Sequence, residues 1–437
     1  MSTTPNGYTD EKDPEIEVLP APATSTPPVK RTSLATRLLR LVATVLGALL
    51  VFKALCSVVG SQSGGLSRPC HGMNHKIPGY IPLLFDDDGH HQHPFPPIDK
   101  WKPFNGTTHF EFDPAQASGL SVRGPKVFGK VVFETSKLSN KVVIDLDIKT
   151  NKKDKDGEVT IGEDNGHLTI NTPSTGKLKT HTAATIQIPS NIIGEFALPR
   201  FEVDVPRHMV DFSQLPESLE IGTFTVRVGR GFVKPGPVHT NTTQISIGYG
   251  ALRGALTHAR DETNVDIGRG NVTLNIPSIS TGDQGSTHIH LGHGHLNGSL
   301  AIYNSTNIDI GSGGIYVNVA FKSAAPRATL STRIASGSSR VFVDSIAAER
   351  LFESSHTSVA GDQLITYPAN FQGTVDARGI VGDIKLEGKD LAVEKVIGGM
   401  VGRQGDSDRN SISVKTVRGK LDILVGDEPT AQQSHSC

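Results

Sequence analysis

From about residue 106 the chain alternates apolar and polar residues. The segments KVVIDLDIKT, GEVTIGEDNGHLTINT, AATIQIPS and RFEVDVP each follow a period of two. That period predicts half-buried strands, because successive side chains leave a strand on opposite faces. Gly and Pro punctuate the segments, as turns require. Helical period is readable in two places only, an apolar run before residue 60 and the short segment SIAAERLFESS.

Stacking the strands reveals a repeat. Five segments share the pattern Φ-x-Φ-G-x-G followed by further alternation: VRVGRGFV from Val226, ISIGYGALRGAL from Ile245, VDIGRGNVTLNI from Val265, IHLGHGHLNGSL from Ile289 and IDIGSGGIYVNV from Ile308. Their starts differ by 19, 20, 24 and 19 residues. Looser copies are VTIG at Val159 and VKTVRGKLDILV at Val414. A period of about 20 residues is that of a solenoid coil, in which one unit cannot bury its apolar face alone but stacked units share a core. The expected fold is all-β, a β-solenoid or β-helix-like array of ~20-residue repeats. The array should occupy residues 210–427, and the β-rich part 106–209 should continue or cap it.

These units resemble the "putative adhesin" domain-of-unknown-function family of bacteria and fungi. So do YPANFQGTVDARGIVGDIKLEGKDLAVEKV and ISVKTVRGKLDILVG. The likeness covers roughly residues 140–425 through degenerate motifs, and membrane-anchored fungal members with a short cytosolic tail are similar in layout. The resemblance implies a right-handed β-helix-like fold and a surface or adhesion role, and it carries over no catalytic residue.

The N-terminal quarter is organised differently. Residues 1–33 are rich in Pro, Thr and acid, too poor in large apolar residues to bury a core, and read as a disordered cytosolic tail. Within 34–60 a run opens at Leu41 and closes at Val59, apolar or small except for Thr44, Lys53 and Ser57. A helix of about 20 residues crosses a bilayer core. Lys53 costs roughly 2.5–3.5 kcal/mol at mid-membrane, less if its ammonium snorkels to the far headgroups. Lys30, Arg31, Arg37 and Arg40 precede the run and only Arg68 follows it closely. The positive-inside rule then makes it a signal-anchor with the N-terminus cytosolic and the remainder lumenal or extracellular. Residues 61–105, with GSQSGGLSRP and DDDGHHQHPFPPIDKWKP, read as a Pro/His-rich stalk, and 428–437 as a C-terminal tail. Five N-x-[ST] sequons, at Asn105, Asn241, Asn271, Asn297 and Asn304, all follow the run and are glycosylation candidates.

Composition narrows the partners. With 43 Lys and Arg against 44 Asp and Glu, the net charge is −1. No basic field draws the chain to nucleic acid. Aromatic residues make up 5% with one tryptophan, Trp101, which argues against a base-stacking surface. The three cysteines exclude a disulfide scaffold. A bridge between Cys70 and Cys437 and two free thiols both remain open.

Candidate chemistry is sparse. THIHLGHGHLNGS packs His288, His290, His293 and His295 into eight residues, the look of a metal site. The repeat places these histidines at positions that vary among sister units, with His288 and His290 on one face and His293 and His295 beyond a bend at Gly292. The metal reading therefore reduces to the pair His288 and His290. His90, His91 and His93 lie in the stalk. KKDKDGEVTIGE puts Asp154, Asp156, Gly157 and Glu163 at calcium-loop positions, but Lys152 replaces the first ligand and the flanks are strands, so a hairpin turn is the simpler reading. GYGALRG and GHGHLNG lack phosphate-loop spacing. Asp266 and Asp309 share one outward repeat position with Arg227, Ser246 and His290, a solvated mixture rather than a glycosidase pair. No catalytic set and no cofactor is expected. The preferred reading is a single-pass, glycosylated surface or lumenal protein with a binding, adhesion or structural role, its partners a bilayer, through one helix, and surface polysaccharide or protein. The alternatives are a β-helical carbohydrate-active enzyme of the secretory route and a metal-binding surface protein.

Overall fold

The computed structural model describes residues 100–426, except 138, 152–158, 174–177, 191–197, 258, 278–284, 322–326, 347–350 and 407–408. The described residues belong to one compact unit, Ile81–Cys437. The run 41–59, the tails, most of the stalk with His90, His91 and His93, the cysteines Cys70 and Cys437, and the loop residues Asp154, Asp156 and Gly157 lie outside them. Among the described residues no helix is long and apolar enough to cross a membrane.

The described part is all-β, and its 24 strands form one hydrogen-bonded network. The first ten are β1 Lys102–Pro103, β2 His109–Phe112, β3 Gly119–Arg123, β4 Val127–Ser136, β5 Val142–Thr150, β6 Thr160–Asp164, β7 His167–Asn171, β8 Thr180–Pro189, β9 Leu198–Val205 and β10 His208–Asp211. Both orientations occur here. β4 pairs β8 in parallel, whereas β5 pairs β1, β2 and β8 antiparallel. β6 and β7 form a hairpin turning at Asn165-Gly166, both with positive φ, the backbone that a two-residue Asn-Gly loop favours.

Six long strands follow: β11 Glu220–Lys234, β12 His239–Ala255, β13 Glu262–Ile276, β14 Ser286–Ile302, β15 Ser305–Phe321 and β16 Arg327–Ile346. Each pairs in parallel with the next, residue for residue along the repeat. The pattern suggests two strands per unit, but one strand runs straight through Gly-x-Gly. Neighbouring units hydrogen-bond on both sides of it, so the ladder is not interrupted. The bend shows instead as a change of phase. In β14 the buried side chains include Thr287, Ile289 and Leu291 before the glycines, then Leu296, Leu300 and Ile302 after them. Both arms thus turn their apolar residues to one core, and each fully buried Ile, Leu or Val contributes about 1.5–3 kcal/mol.

The second glycine carries the bend. Gly231, Gly250, Gly270, Gly294 and Gly313 all have positive φ. A Cβ on Gly294 would lie 1.6 Å from the Gly270 carbonyl oxygen, so close stacking and backbone conformation both require glycine there. Gly292, where the sequence placed the bend, has no positive φ.

The remaining strands are β17 Leu351–Ala360, β18 Gln363–Tyr367, β19 Gly373–Val381, β20 Ile384–Gly388, β21 Ala392–Val396, β22 Gly399–Gln404, β23 Ser411–Arg418 and β24 Leu421–Val425. Here the order departs from the chain order. β23 inserts between β17 and β19, parallel to both, and β24 pairs β18 and β20. β19 then takes β22 antiparallel, and β22 takes β21. Of SIAAERLFESS, the described residues are strand: Ser345 and Ile346 end β16, and Leu351 to Ser355 open β17.

Aromatic rings close the core at both ends. Phe133 meets Phe201, Phe212 and Phe224 edge-on at centroid distances of 5.6, 6.3 and 5.6 Å. Phe352 stacks on Phe321 and Tyr367 at 5.0 and 6.0 Å. Each such pair adds about 0.5–1.5 kcal/mol beyond area burial.

Candidate binding surface

Parallel pairing in register lines equivalent residues into columns across the outer face. One column runs Asp204, Arg227, Ser246, Asp266, His290, Asp309, Arg333, Thr357, Lys415, Arg378. Opposite charges neighbour each other along it. His290 Nδ1 lies 2.9 Å from Asp266 Oδ1, and Arg333 Nη1 lies 3.7 Å from Asp309 Oδ1. Arg227 pairs with Glu202 of the adjacent column. Asp266 faces His290 and Asp309 faces Arg333, rather than one another. Exposed pairs of this kind contribute about 0–1 kcal/mol.

His288 stands in the neighbouring column, which runs Gln244, Asn264, His288, Asn307, Ser331. Its Nδ1 accepts from Asn307 Nδ2 at 3.3 Å, and its Nε2 lies 3.8 Å from Glu262 Oε1. His288 and His290 therefore share the face but turn to different partners. His293 falls in the bend column with Arg230, Tyr249, Arg269 and Ser312. There the Arg230 and Arg269 guanidiniums sit 4.8 and 5.8 Å from the Tyr249 ring centroid. His295 lies past the bend beside Asn271, whose Oδ1 accepts the His295 backbone N–H at 3.2 Å. Among the described residues, no three His, Cys, Asp or Glu side chains gather where they could hold a metal ion. Glu163 is exposed in β6.

The sequons vary in access. Asn105, Asn271, Asn297 and Asn304 are exposed, and Asn241 is half-buried. Asn297 is flanked across the strands by Thr273 and Tyr316.

Two histidines that sequence reading left unremarked are buried. His356 replaces an aliphatic residue in the core column of Val226, Ile245, Val265, Ile289, Ile308 and Thr332. Tyr367 O–H donates to Ser354 Oγ at 2.7 Å, and Ser354 lies 2.7 Å from His356 Nε2. If Ser354 donates to Nε2, the ring stays neutral and Nδ1–H donates to Thr332 Oγ1 at 2.8 Å. Burial pushes the His356 imidazole down to about 3 and the Tyr367 phenol up. The Ser–His pair has the spacing of a nucleophile and its base. Its His is 0% exposed, so no substrate reaches it, and the network is core. His208 is pushed down to about 3 by burial and by His181 nearby.

A further surface lies at the end of the ladder formed by β17, β23 and β19. The register places Val359 beside Val417 and Val417 beside Ile380. This is the column of the first repeat glycine, Gly229, Gly248, Gly268, Gly292 and Gly311, continued through Ala335. Val381 follows Ile380. Ile397 caps the β21–β22 hairpin, and its carbonyl accepts from Arg378 Nη1 at 2.9 Å. Ile380 is 77% exposed and Ile397 99%. Scattered exposed apolar residues are ordinary, but a contiguous group is a mark of interaction. The copy of the repeat at Val414 pointed to this column; the chain order of β23 hid its neighbours.

No family model matches the chain, and no curated protein matches it. Solved structures similar to it include the following three. One is described as a "putative cell adhesion protein" from Clostridium sporogenes ATCC 15579, with 11% identity and a TM-score of 0.16 over 74% of this chain and 100% of that one. A "putative adhesin" from Parabacteroides distasonis ATCC 8503 has 9% identity and a TM-score of 0.32 over 74% and 98%. A "putative adhesin" from Bacteroides fragilis NCTC 9343 has 9% identity and a TM-score of 0.24 over 73% and 98%. At those identities and TM-scores neither ligand nor activity passes to this chain.

Proposed function

We propose that the protein is a single-pass, membrane-anchored glycoprotein whose β-solenoid ectodomain binds rather than catalyses. The observation that carries the reading is the in-register ladder from β11 to β16. Its glycines stack at the bend, its aliphatic residues fill the core, and its outer columns vary freely. Such an array is a rigid presenter of side chains. The run 41–59 with its preceding cations supports an anchor, and the five sequons that follow it support a lumenal or extracellular array. Asp266 and Asp309 of the long column face His290 and Arg333 rather than each other, and the Ser–His network is sealed; both support a non-catalytic role.

Endoglycosidase treatment of the full chain from a secretory host tests the placement. A mobility shift that shrinks when Asn271, Asn297 and Asn304 become Gln is expected; an unshifted band contradicts it. Incubation with a panel of surface polysaccharides separates binding from turnover, and product formation lost in Asp266→Ala would establish the carbohydrate-active enzyme instead.

A further inference from the structure

Three of the eight exposed large apolar side chains among the described residues stand in one register row, Val359, Val417 and Ile380; Val381 follows Ile380, and Ile397 tops the hairpin whose Gly398 carbonyl accepts from Gly379 N–H beside it. Lys415 and Arg418 flank them on β23, exposed and without an ion pair among the described residues. Arg378 is already held by Asp376 at 2.6 Å, and Lys420 by Asp422 at 2.7 Å, with Asp362 and Asp383 around Lys420. The surface is thus an apolar stripe with two unneutralised cations.

We propose that this surface binds residues 81–88 of a second copy of the chain, so that copies associate head to tail. That segment reads IPLLFDDD. Ile81, Leu83, Leu84 and Phe85 match the stripe, and Asp86, Asp87 and Asp88 match Lys415 and Arg418. The C-terminal residues 427–437, DEPTAQQSHSC, offer no large apolar side chain to cover the stripe. An isologous pairing of two stripes would set Lys415 and Arg418 against their own kind, which costs rather than stabilises.

Reach favours another copy over the same chain. Described structure begins at Lys100, next to β1. The pairing path from β1 to β19 passes β5, β8, β4, β10, β11, β12, β13, β14, β15, β16, β17 and β23. At ~4.8 Å per strand that path measures about 60 Å along the ladder, the upper bound on the separation, and docking within one chain is an outcome of the test below. The fifteen residues from Phe85 to Lys100 span at most about 50 Å when extended. The contact is heterologous, since one copy offers its stripe and the other its segment, and such contacts propagate into chains of molecules.

The proposal deepens the binding reading by naming the partner, but it does not require the anchor. Its test runs on the full chain in detergent, so its failure and a failure of the membrane topology are separable. Sedimentation velocity over a range of concentrations should show species heavier than the monomer. Excess free peptide of residues 79–90, GYIPLLFDDDGH, should disperse them. The double variant Lys415→Glu/Arg418→Glu should weaken association at least tenfold, and adding Asp86→Lys/Asp87→Lys/Asp88→Lys should restore it. A monomer at every concentration, docking within one chain included, overturns the proposal. So does association that ignores the Lys415→Glu/Arg418→Glu change, or a charge swap that fails to restore it.

Discussion

Gly313 and Gly311 sit two residues apart, yet they should not tolerate change equally. A Cβ at Gly313 would lie 1.7 Å from the Gly294 carbonyl oxygen, at a φ of +136°. At Gly311 the nearest atom is the Gly292 oxygen at 2.5 Å, with no positive φ, and the same column carries Ala335 and Val359 further on. Gly313→Ala should therefore cost several kcal/mol by strain and overpacking, beyond the 1–3 kcal/mol typical of an overpacked core. Gly311→Ala should cost less. Denaturant unfolding of the two variants checks the order, and equal loss would contradict it. His356 and His208 make a second prediction. Their folded pKa values lie near 3 against 6.5 for a free imidazole, so the unfolded chain binds more protons between those values. The stability they contribute is intact above about pH 6.5 and is lost as pH falls towards 3. Its slope approaches roughly 1.4 kcal/mol per pH unit for each buried ring. His356→Gln should flatten the fall between pH 6.5 and 4.5; an unchanged slope would show that His356 is not held neutral.

Among the elements, β14 and β21 are opposites. β14 is paired along both edges and carries a buried residue at nearly every second position. β21 pairs only with β22 among the described strands, and four of its five residues are exposed. Glu394 and Lys395 place charge on that edge, which discourages further pairing. Amide exchange should therefore be faster by several orders of magnitude for residues 392–396 than for 287–296. Equal protection would mean that another chain covers β21. The same elements show what can be read from sequence. β12 to β15 are legible because Φ-x-Φ-G-x-G is local: apolar pairs two apart mark the inward residues, and the glycines mark the bend. β17 is not, since three of its four inward positions hold Ser354, His356 and Ser358. The helical period read in SIAAERLFESS fails at Leu351 to Ser355, which are strand. The insertion of β23 between β17 and β19 depends on pairing across more than fifty residues, which no local pattern encodes. The bend at the second glycine rather than the first needed the backbone, because both glycines look alike in the repeat. Likewise, the outer histidines were visible, while the partners that occupy His288 and His290 came only with the stacking of β13, β14 and β15.

For the whole molecule, the proposed arrangement separates a polar outer face of mixed charge from one apolar end. Binding at that end and presentation from a membrane are independent claims, and the second decides where the first can act. Limited proteolysis of sealed microsomes carrying the full chain with a C-terminal epitope tests it directly. A lumenal array predicts that the epitope and residues 100–426 survive external protease until detergent opens the vesicles, with only the residues before the run 41–59 trimmed. Loss of the epitope from sealed vesicles would place the ladder on the cytosolic side and contradict the account.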